Sequence, residues 1–503
     1  MPHIKVNVKW NAKRFDNVDL DTDDTALTFK TQLFSLTGVE PDRQKILVKG
    51  GMLKDDTNLN SLNLKDGHTF MMMGTAGELP KAPEKKVVFL EDMSETQLQK
   101  AYDIPSGLQN LGNTCYLNAT LQCLRAIPEL QTALAKAPGS GVGSSVSSSV
   151  SGNANRQVTS GLRDLYRDLN TSADADYTPL AFVQLFRAVF PKYNERSRTE
   201  GGYLQQDAEE CWTELMMVLR DQLRQPAATD ASSSSDTTSV VDQYMTGEME
   251  VTMQCDDNPE ETPTVKVEPF YKLSCHIDKD TNYLATGLES ALTEKLEKRS
   301  STLDREATYT RTARITRLPA YLVVNFVRFY WKNDVNVEAK IMRKVKFPQN
   351  LDMTEFCRTD LQAKLRPAKE AIREAEEKQA MDKANTAGET AMQVDGAETP
   401  ATGKAAETTK PAESLVLDPS LKSDVGCNPS GQYELCAVLT HIGRSSDSGH
   451  YIAWVRNKKT DDWFKFDDDQ VSVVKEADIE KLAGGGDWHT AYICLYRAKT
   501  LPA

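Results

Sequence analysis

The chain has 503 residues, 39% of them apolar, with 60 basic against 73 acidic residues and a formal net charge of −13; its pI is near 5.2 and its mean hydropathy −0.51. That length allows two to four domains, and the acidic balance argues against general nucleic-acid binding while suiting a basic partner. No stretch reaches the roughly 18 consecutive apolar residues of a membrane helix, and Met1 to Trp10 lacks the apolar run of a secretory signal. Nine cysteines with no Cys-x-x-Cys pair fit reduced thiols better than a disulfide framework or a four-cysteine zinc site. A soluble, intracellular protein is expected.

Alternation of Ile4, Val6, Val8 and Trp10, a turn through Asn11 to Arg14, and renewed alternation at Phe15, Val18 and Leu20 predict a hairpin. Asp23-Asp24-Thr25 can cap a helix carrying Leu27, Leu33, Phe34 and Leu36 on one face, ended by Gly38 and Pro41. Strands follow at Gln44 to Val48 and Thr69 to Met73. The order ββαββ in about 75 residues is a small α+β domain. The run Gly38-Val39-Glu40-Pro41-Asp42-Arg43-Gln44-Lys45-Ile46-Leu47-Val48-Lys49-Gly50, continued by Lys54-Asp55-Asp56-Thr57 and Leu59, resembles the middle of ubiquitin. The domain ends at Gly74-Thr75 without a terminal Gly-Gly, so it reads as a fixed module. Aligned on ubiquitin's third strand, Leu47 falls at the centre of the apolar binding patch. Met71 and Met73 should share that exposed face, with Phe70 and Met72 turned inward.

Residues 76–104 read as a linker. Low-complexity stretches near 139–156, 225–239 and 362–424, the last opening on a charged helical run from Lys364 to Met381, lack the apolar content to fold alone and are expected as surface insertions in one large domain, 105–499.

Within that domain, Gly107-Leu108-Gln109-Asn110-Leu111-Gly112-Asn113-Thr114-Cys115-Tyr116 combines a tight turn at Gly112 with an N-cap at Asn113 or Thr114. Cys115 then lies in the first turn of a helix, where the partial positive charge favours a thiolate, and Asn110 can aim an amide at an oxyanion. Of six histidines, His450 opens an alternating strand after a flexible Ser/Gly segment. A turn at Asn457 to Asp462 would place Asp467 roughly opposite it. His441, between Leu439 and Ile442, suits a structural strand position. Asp468 is the rival for the third role.

The Cys115 segment matches the cysteine box of the ubiquitin-specific proteases without departure. Gly449-His450-Tyr451 with Trp463-x-x-Phe466-Asp467-Asp468 is similar to their histidine box. Resemblance extends over about 105 to 497, including Leu318-Pro319 and the strand after it. It implies an α+β protein: a ubiquitin-like β-grasp domain, then a papain-like cysteine protease domain with fingers, palm and thumb. It implies a deubiquitinase in which Cys115 is nucleophile, His450 base, Asp467 orienter and Asn110 an oxyanion donor. Gln206 and Asp207, from Gln205-Gln206-Asp207-Ala208, together with Asp468 would lie on the substrate side. Many relatives bind zinc through two Cys-x-x-Cys pairs; here Cys255 and Cys275 stand singly, so neither metal nor cofactor is expected. A zinc-less protease with a leading ubiquitin-like domain resembles the branch that docks on the 26S proteasome. Leu47, Met71 and Met73 would then contact the regulatory particle, and a cytoplasmic and nuclear location would follow. The alternative is a non-catalytic ubiquitin-binding regulator.

Overall fold

A computed structural model describes residues 3–49, 51–75, 104–137, 150–172, 174–197, 201–225, 238–300, 302–332, 336–391, 417–445, 448–457, 460, 462–486 and 488–501. The expected linker thus lies outside the described residues but for its last, 104, as do most of the stretches near 139–156 and 225–239. The chain divides after Asp92 into two compact units.

In the first unit, strands are ordered Lys13–Asp21, His3–Trp10, Thr69–Met73, Lys45–Val48, Gly51–Met52, with the α-helix Ala26–Thr37. Thr25 caps the helix through its hydroxyl, and Gly38 ends it in the left-handed region at φ 72°. The buried face is not the expected one. Ala26, Phe29, Lys30, Leu33 and Thr37 point inward, whereas Leu27, Phe34 and Leu36 are exposed. The winning stripe runs i, i+3, i+4, i+7, i+11 from Ala26, and only Leu33 belongs to both sets. Lys30 joins it by burying its stem and reaching Asp55 at 2.6 Å. On the sheet, Phe70 and Met72 are buried. Leu47 (41% exposed), Met52, Met71 (53%) and Met73 (50%) face outward. Leu47 pairs with both Met71 and Met52, so these residues form one apolar surface.

The second unit is organised by an eight-stranded sheet. Its order is Leu273–His276, Tyr321–Val327, Thr490–Ala498, Gln432–Ser445, Ser448–Arg456, Trp463–Asp467, Gln470–Val474, with Asn350–Asp352 also joined to the Gln432–Ser445 strand. Both faces are covered. Tyr321, Val323, Leu439, Tyr451 and Ala453 pack with the helices Cys115–Leu124, Pro128–Lys136, Val150–Thr171, Leu180–Val189 and Ala208–Gln222. Leu322, Val324, Val438, Ile452 and Trp454 enter a second core. This period-2 division accounts for the near-continuous apolar runs of the central strands. A separate four-stranded antiparallel sheet, Thr264–Phe270, Gly247–Cys255, Glu306–Arg317, Thr293–Arg299, extends from this body as the fingers.

Of the expected insertions, that near 139–156 leads into a buried helix and that near 362–424 is partly built into the core. Residues 150–156 open the helix Val150–Thr171, which buries Val158, Leu162, Leu165 and Leu169. The helix Thr359–Ala391 occupies much of 362–424 and buries Leu361, Leu365, Ala368 and Ile372. Those four residues form an i, i+4, i+7, i+11 stripe, so a polar composition concealed an anchored helix. Residues 392–416 of that stretch lie outside the described residues.

Candidate active site

Cys115 is the first residue of the helix Cys115–Leu124, whose ten residues are all buried. A helix so enclosed must satisfy its polar side chains internally. Asn118 Nδ2 donates to Leu108 O at 3.1 Å and Asp468 Oδ1 at 2.8 Å, and Gln122 Nε2 donates to Ser106 O at 3.0 Å. Those bonds fix the preceding strand against the helix. The turn before Cys115 passes through positive φ at Gly112 (87°) and Asn113 (50°). Arg187 donates to Gly112 O at 2.8 Å, and Asn113 Nδ2 donates to Tyr203 O at 2.7 Å. The cysteine is therefore presented by a rigid turn, with its own N–H at a helix start. Its residue exposure is 2%.

His450 lies on the strand Ser448–Arg456, next to the helix that begins at Cys115. Its Nε2 is 2.7 Å from Asp467 Oδ1, and the Cys115 thiol is near enough to the same ring to favour its charged form. Asp467, helped by that thiol, raises the imidazole pKa to about 10, against the opposing effect of burial. His450, and then Lys465, hold the Asp467 carboxyl well below the usual carboxylate range. A cationic imidazole beside a thiol is the arrangement that supports a sulfur nucleophile.

The sequence placed His450 opposite Asp467. The actual pairing is Ala453 with Phe466 and Arg456 with Trp463, so Asp467 falls in line with Ile452 and reaches His450 on the diagonal. The faces match because the offset is two residues.

The other predicted residues are held by bonds of their own. Asn110 Nδ2 donates to Asp468 Oδ2 at 2.8 Å, and its Oδ1 accepts from the N–H groups of Gly112 (3.0 Å) and Thr114 (3.2 Å). One N–H of that amide is thereby engaged by Asp468 and one is left for an oxyanion. Asp468 accepts from both Asn110 and Asn118, and burial pushes its pKa up. Gln206 is buried, its Nε2 on Lys192 O at 3.2 Å. Its neighbour Gln205, which sequence reasoning passed over, donates from Nε2 to Cys115 Sγ at 3.2 Å. In an extended segment neighbouring side chains point opposite ways, so only one glutamine of the pair can face the thiol. Asp207 caps the helix Ala208–Gln222, accepting from Glu209 N at 2.6 Å, and its two oxygens take the Tyr492 hydroxyl at 2.9 and 2.7 Å. It ties helix to sheet. Leu47, Met71 and Met73 belong to the first unit.

His441 is fully buried. Its Nδ1 is 3.0 Å from Lys340 Nζ, and its Nε2 is 3.2 Å from Ser448 O, to which the ring donates. Burial and then Lys340 push its pKa down to about 3. It is a neutral structural residue that braces the strand pair carrying His450.

Residues 106–496 match the family described as ubiquitin carboxyl-terminal hydrolase, and residues 4–77 match the ubiquitin family. A Schizosaccharomyces pombe protein named ubiquitin carboxyl-terminal hydrolase 6 is 42% identical over 502 residues, covering 99% of each chain. An Arabidopsis thaliana protein of the same name is 40% identical over 500 residues, 98% of each chain. Ubiquitin carboxyl-terminal hydrolase 14 of Caenorhabditis elegans is 32% identical over 507 residues, 99% of this chain and 94% of its own. The chain belongs to the ubiquitin carboxyl-terminal hydrolase family and is a cysteine-type deubiquitinase with an N-terminal ubiquitin-like domain.

Proposed function

We propose that Cys115, His450 and Asp467 perform the hydrolysis, and that the enzyme works on conjugates held at the 26S proteasome. The Cys115 thiolate attacks the carbonyl of ubiquitin's C-terminal glycine in an isopeptide bond. The Cys115 N–H and the remaining Asn110 N–H receive the oxyanion, each such donor commonly contributing about 3 kcal/mol. Imidazolium His450 protonates the departing lysine amine, leaving a thioester. His450 then takes a proton from water, which attacks the thioester and frees ubiquitin's carboxylate. Asp467 keeps the ring oriented and its charge favoured throughout. No cofactor enters any of these steps.

The observation carrying this reading is the 2.7 Å His450–Asp467 bond on a ring whose charged form the neighbouring Cys115 thiol also favours. For docking, the support is the outward apolar surface of Leu47, Met52, Met71 and Met73 on the ubiquitin-like domain, together with the similarity of whole chains carrying both domains. The partner would be a scaffold subunit of the regulatory particle, and the place of action cytoplasm and nucleus.

The test is ubiquitin bearing a C-terminal electrophile, applied to the purified chain and to Cys115→Ala, with and without proteasomes. Labelling of the wild type alone is expected, with recovery of the chain in the proteasome fraction. Labelling of Cys115→Ala would assign the nucleophile to another thiol. An unlabelled wild type in both conditions would favour a non-catalytic ubiquitin-binding regulator.

A further inference from the structure

His450 uses one oxygen of Asp467, and the other is also held. Lys465 Nζ donates to Asp467 Oδ2 at 3.0 Å. The two residues are two apart on the strand Trp463–Asp467, so both side chains lie on one face. Lys465 pairs directly with Trp454 on the neighbouring strand and with Ser472 on the other side. Its ammonium lies 5.8 Å from the centre of the Trp454 ring. With 26% of its side chain exposed, it is laid along the sheet and not extended into solvent. Asp467 ends its strand and is followed by Asp468 at φ 53°, so strand pairing alone does not restrain the carboxylate plane.

We propose that Lys465 is a positioning residue for the reaction: by holding Oδ2 it fixes the Asp467 carboxylate so that Oδ1 stays on His450 Nε2. This rests on the assignment of Cys115, His450 and Asp467. Among the described residues, the charged and titratable groups around the pair are Cys115, Asp468 and the neutral, buried His441 near His450, and His489 beside Lys465 and Asp467, with Lys340 near His489 and His441. His489 is buried and pushed down to about 4, chiefly by burial and then by Lys465, so it stays neutral and offers Asp467 no competing cation.

Two kinds of action by Lys465 move the enzyme in opposite directions. As a bare positive charge it would make the imidazolium easier to deprotonate, and its removal would shift the alkaline limb of the pH profile upward. As a positioning group it preserves the bond that stabilises the imidazolium, and its removal shifts that limb downward. The experiment measures kcat and KM from pH 5 to 10 on a fluorogenic ubiquitin amide. It compares the full chain with Lys465→Met, Lys465→Arg and Asp467→Asn, each shown to be folded by its melting transition. Lys465→Met should lose roughly tenfold in kcat, as removal of a supporting hydrogen bond does elsewhere, with KM little changed and the alkaline limb lowered. Lys465→Arg should keep most of kcat. A folded Lys465→Met with wild-type kcat and profile overturns the proposal, and so does an upward shift of the limb. Wild-type activity in Asp467→Asn would instead overturn the underlying assignment.

Discussion

His450 reaches Asp467 at 2.7 Å across a strand pair whose register sets them two residues apart. The bond is therefore made by side chains leaning along the sheet, while the carboxylate next in sequence, Asp468, is held by other partners. Asp468 follows the strand's last residue in the left-handed region at φ 53°, and its carboxylate is directed to Asn110 and Asn118.

Asp467→Asn should accordingly lower kcat by about a hundredfold or more, because an amide neither fixes the productive ring tautomer nor stabilises the imidazolium. Asp468→Asn should cost less in kcat and more in stability, since it sets an amide nitrogen against an amide donor in a buried network. Steady-state kinetics and melting temperatures of both variants check this. Equal kcat losses, or a larger loss at Asp468, would reassign the orienting group.

The same bond has a pH signature. Folding raises the His450 pKa from 6.5 to about 10, so its stabilisation is complete below pH 6.5 and is lost as pH rises toward 10. Folding depresses the Asp467 pKa, so that stabilisation is present above about pH 4 and is lost as pH falls. The melting temperature of wild type minus that of Asp467→Asn should be greatest between about pH 4 and 6.5 and shrink by pH 10. The difference is the useful quantity, because burial lowers Lys340 to about 7 and gives an opposite trend within the same alkaline window. A difference that grows from pH 7 to 10 contradicts the assignment.

Gly449 precedes the base at φ 119°, and a Cβ there would lie 2.1 Å from Ile442 O and 2.7 Å from His441 Nε2. Backbone in that region strains any other residue by about 1–3 kcal/mol even without a clash. Gly449→Ala should lower the melting temperature and displace His450, reducing kcat at least about tenfold. Crystals or hydrogen exchange of the Ser448–Arg456 strand would show the displacement. Wild-type kcat in this variant would mean that the backbone before His450 plays no part in placing it.

Much of this was legible because chemistry and local geometry coincide in sequence. The turn through Gly112 must present Cys115, and period-2 alternation brings the strand of His450 back beside that of Asp467. What escaped notice depends on tertiary placement. Gln205 and Gln206 are chemically equivalent neighbours, and only the packing of Gln206 against Lys192 decides which one meets the thiol. Asn118 carries no signal of its own in the sequence; the burial of all sides of its helix is what requires a partner for it. Lys465 did leave a signal, a cation two residues before the orienting acid on a strand. The charged helical run from Lys364 to Met381 lies within the helix Thr359–Ala391, but charge counts hide the sparse apolar stripe that anchors it.

The last prediction concerns the ubiquitin-like domain. Leu47, Met71 and Met73 are each about half exposed and adjoin through the pairing of Lys45–Val48 with Thr69–Met73. They stand beside Met52 in a domain whose core is complete without them. Met72 and Phe70 show that methionine and phenylalanine on this strand can be buried where the fold needs them, so the outward methionines fill no cavity. Thioether side chains adapt well to a partner's contours, and truncating central apolar contacts commonly costs about 1–2 kcal/mol each in binding. Leu47→Ala with Met73→Ala should therefore weaken co-sedimentation with purified proteasomes by roughly tenfold or more. Cleavage of a fluorogenic ubiquitin substrate by the isolated enzyme should be unchanged, since neither residue belongs to the unit that carries Cys115. Substituting Leu27 and Phe34 by Ala on the exposed helix face of the same domain provides the control for nonspecific loss of apolar surface. If the strand double mutant is folded and still sediments with proteasomes as wild type does, docking uses another surface.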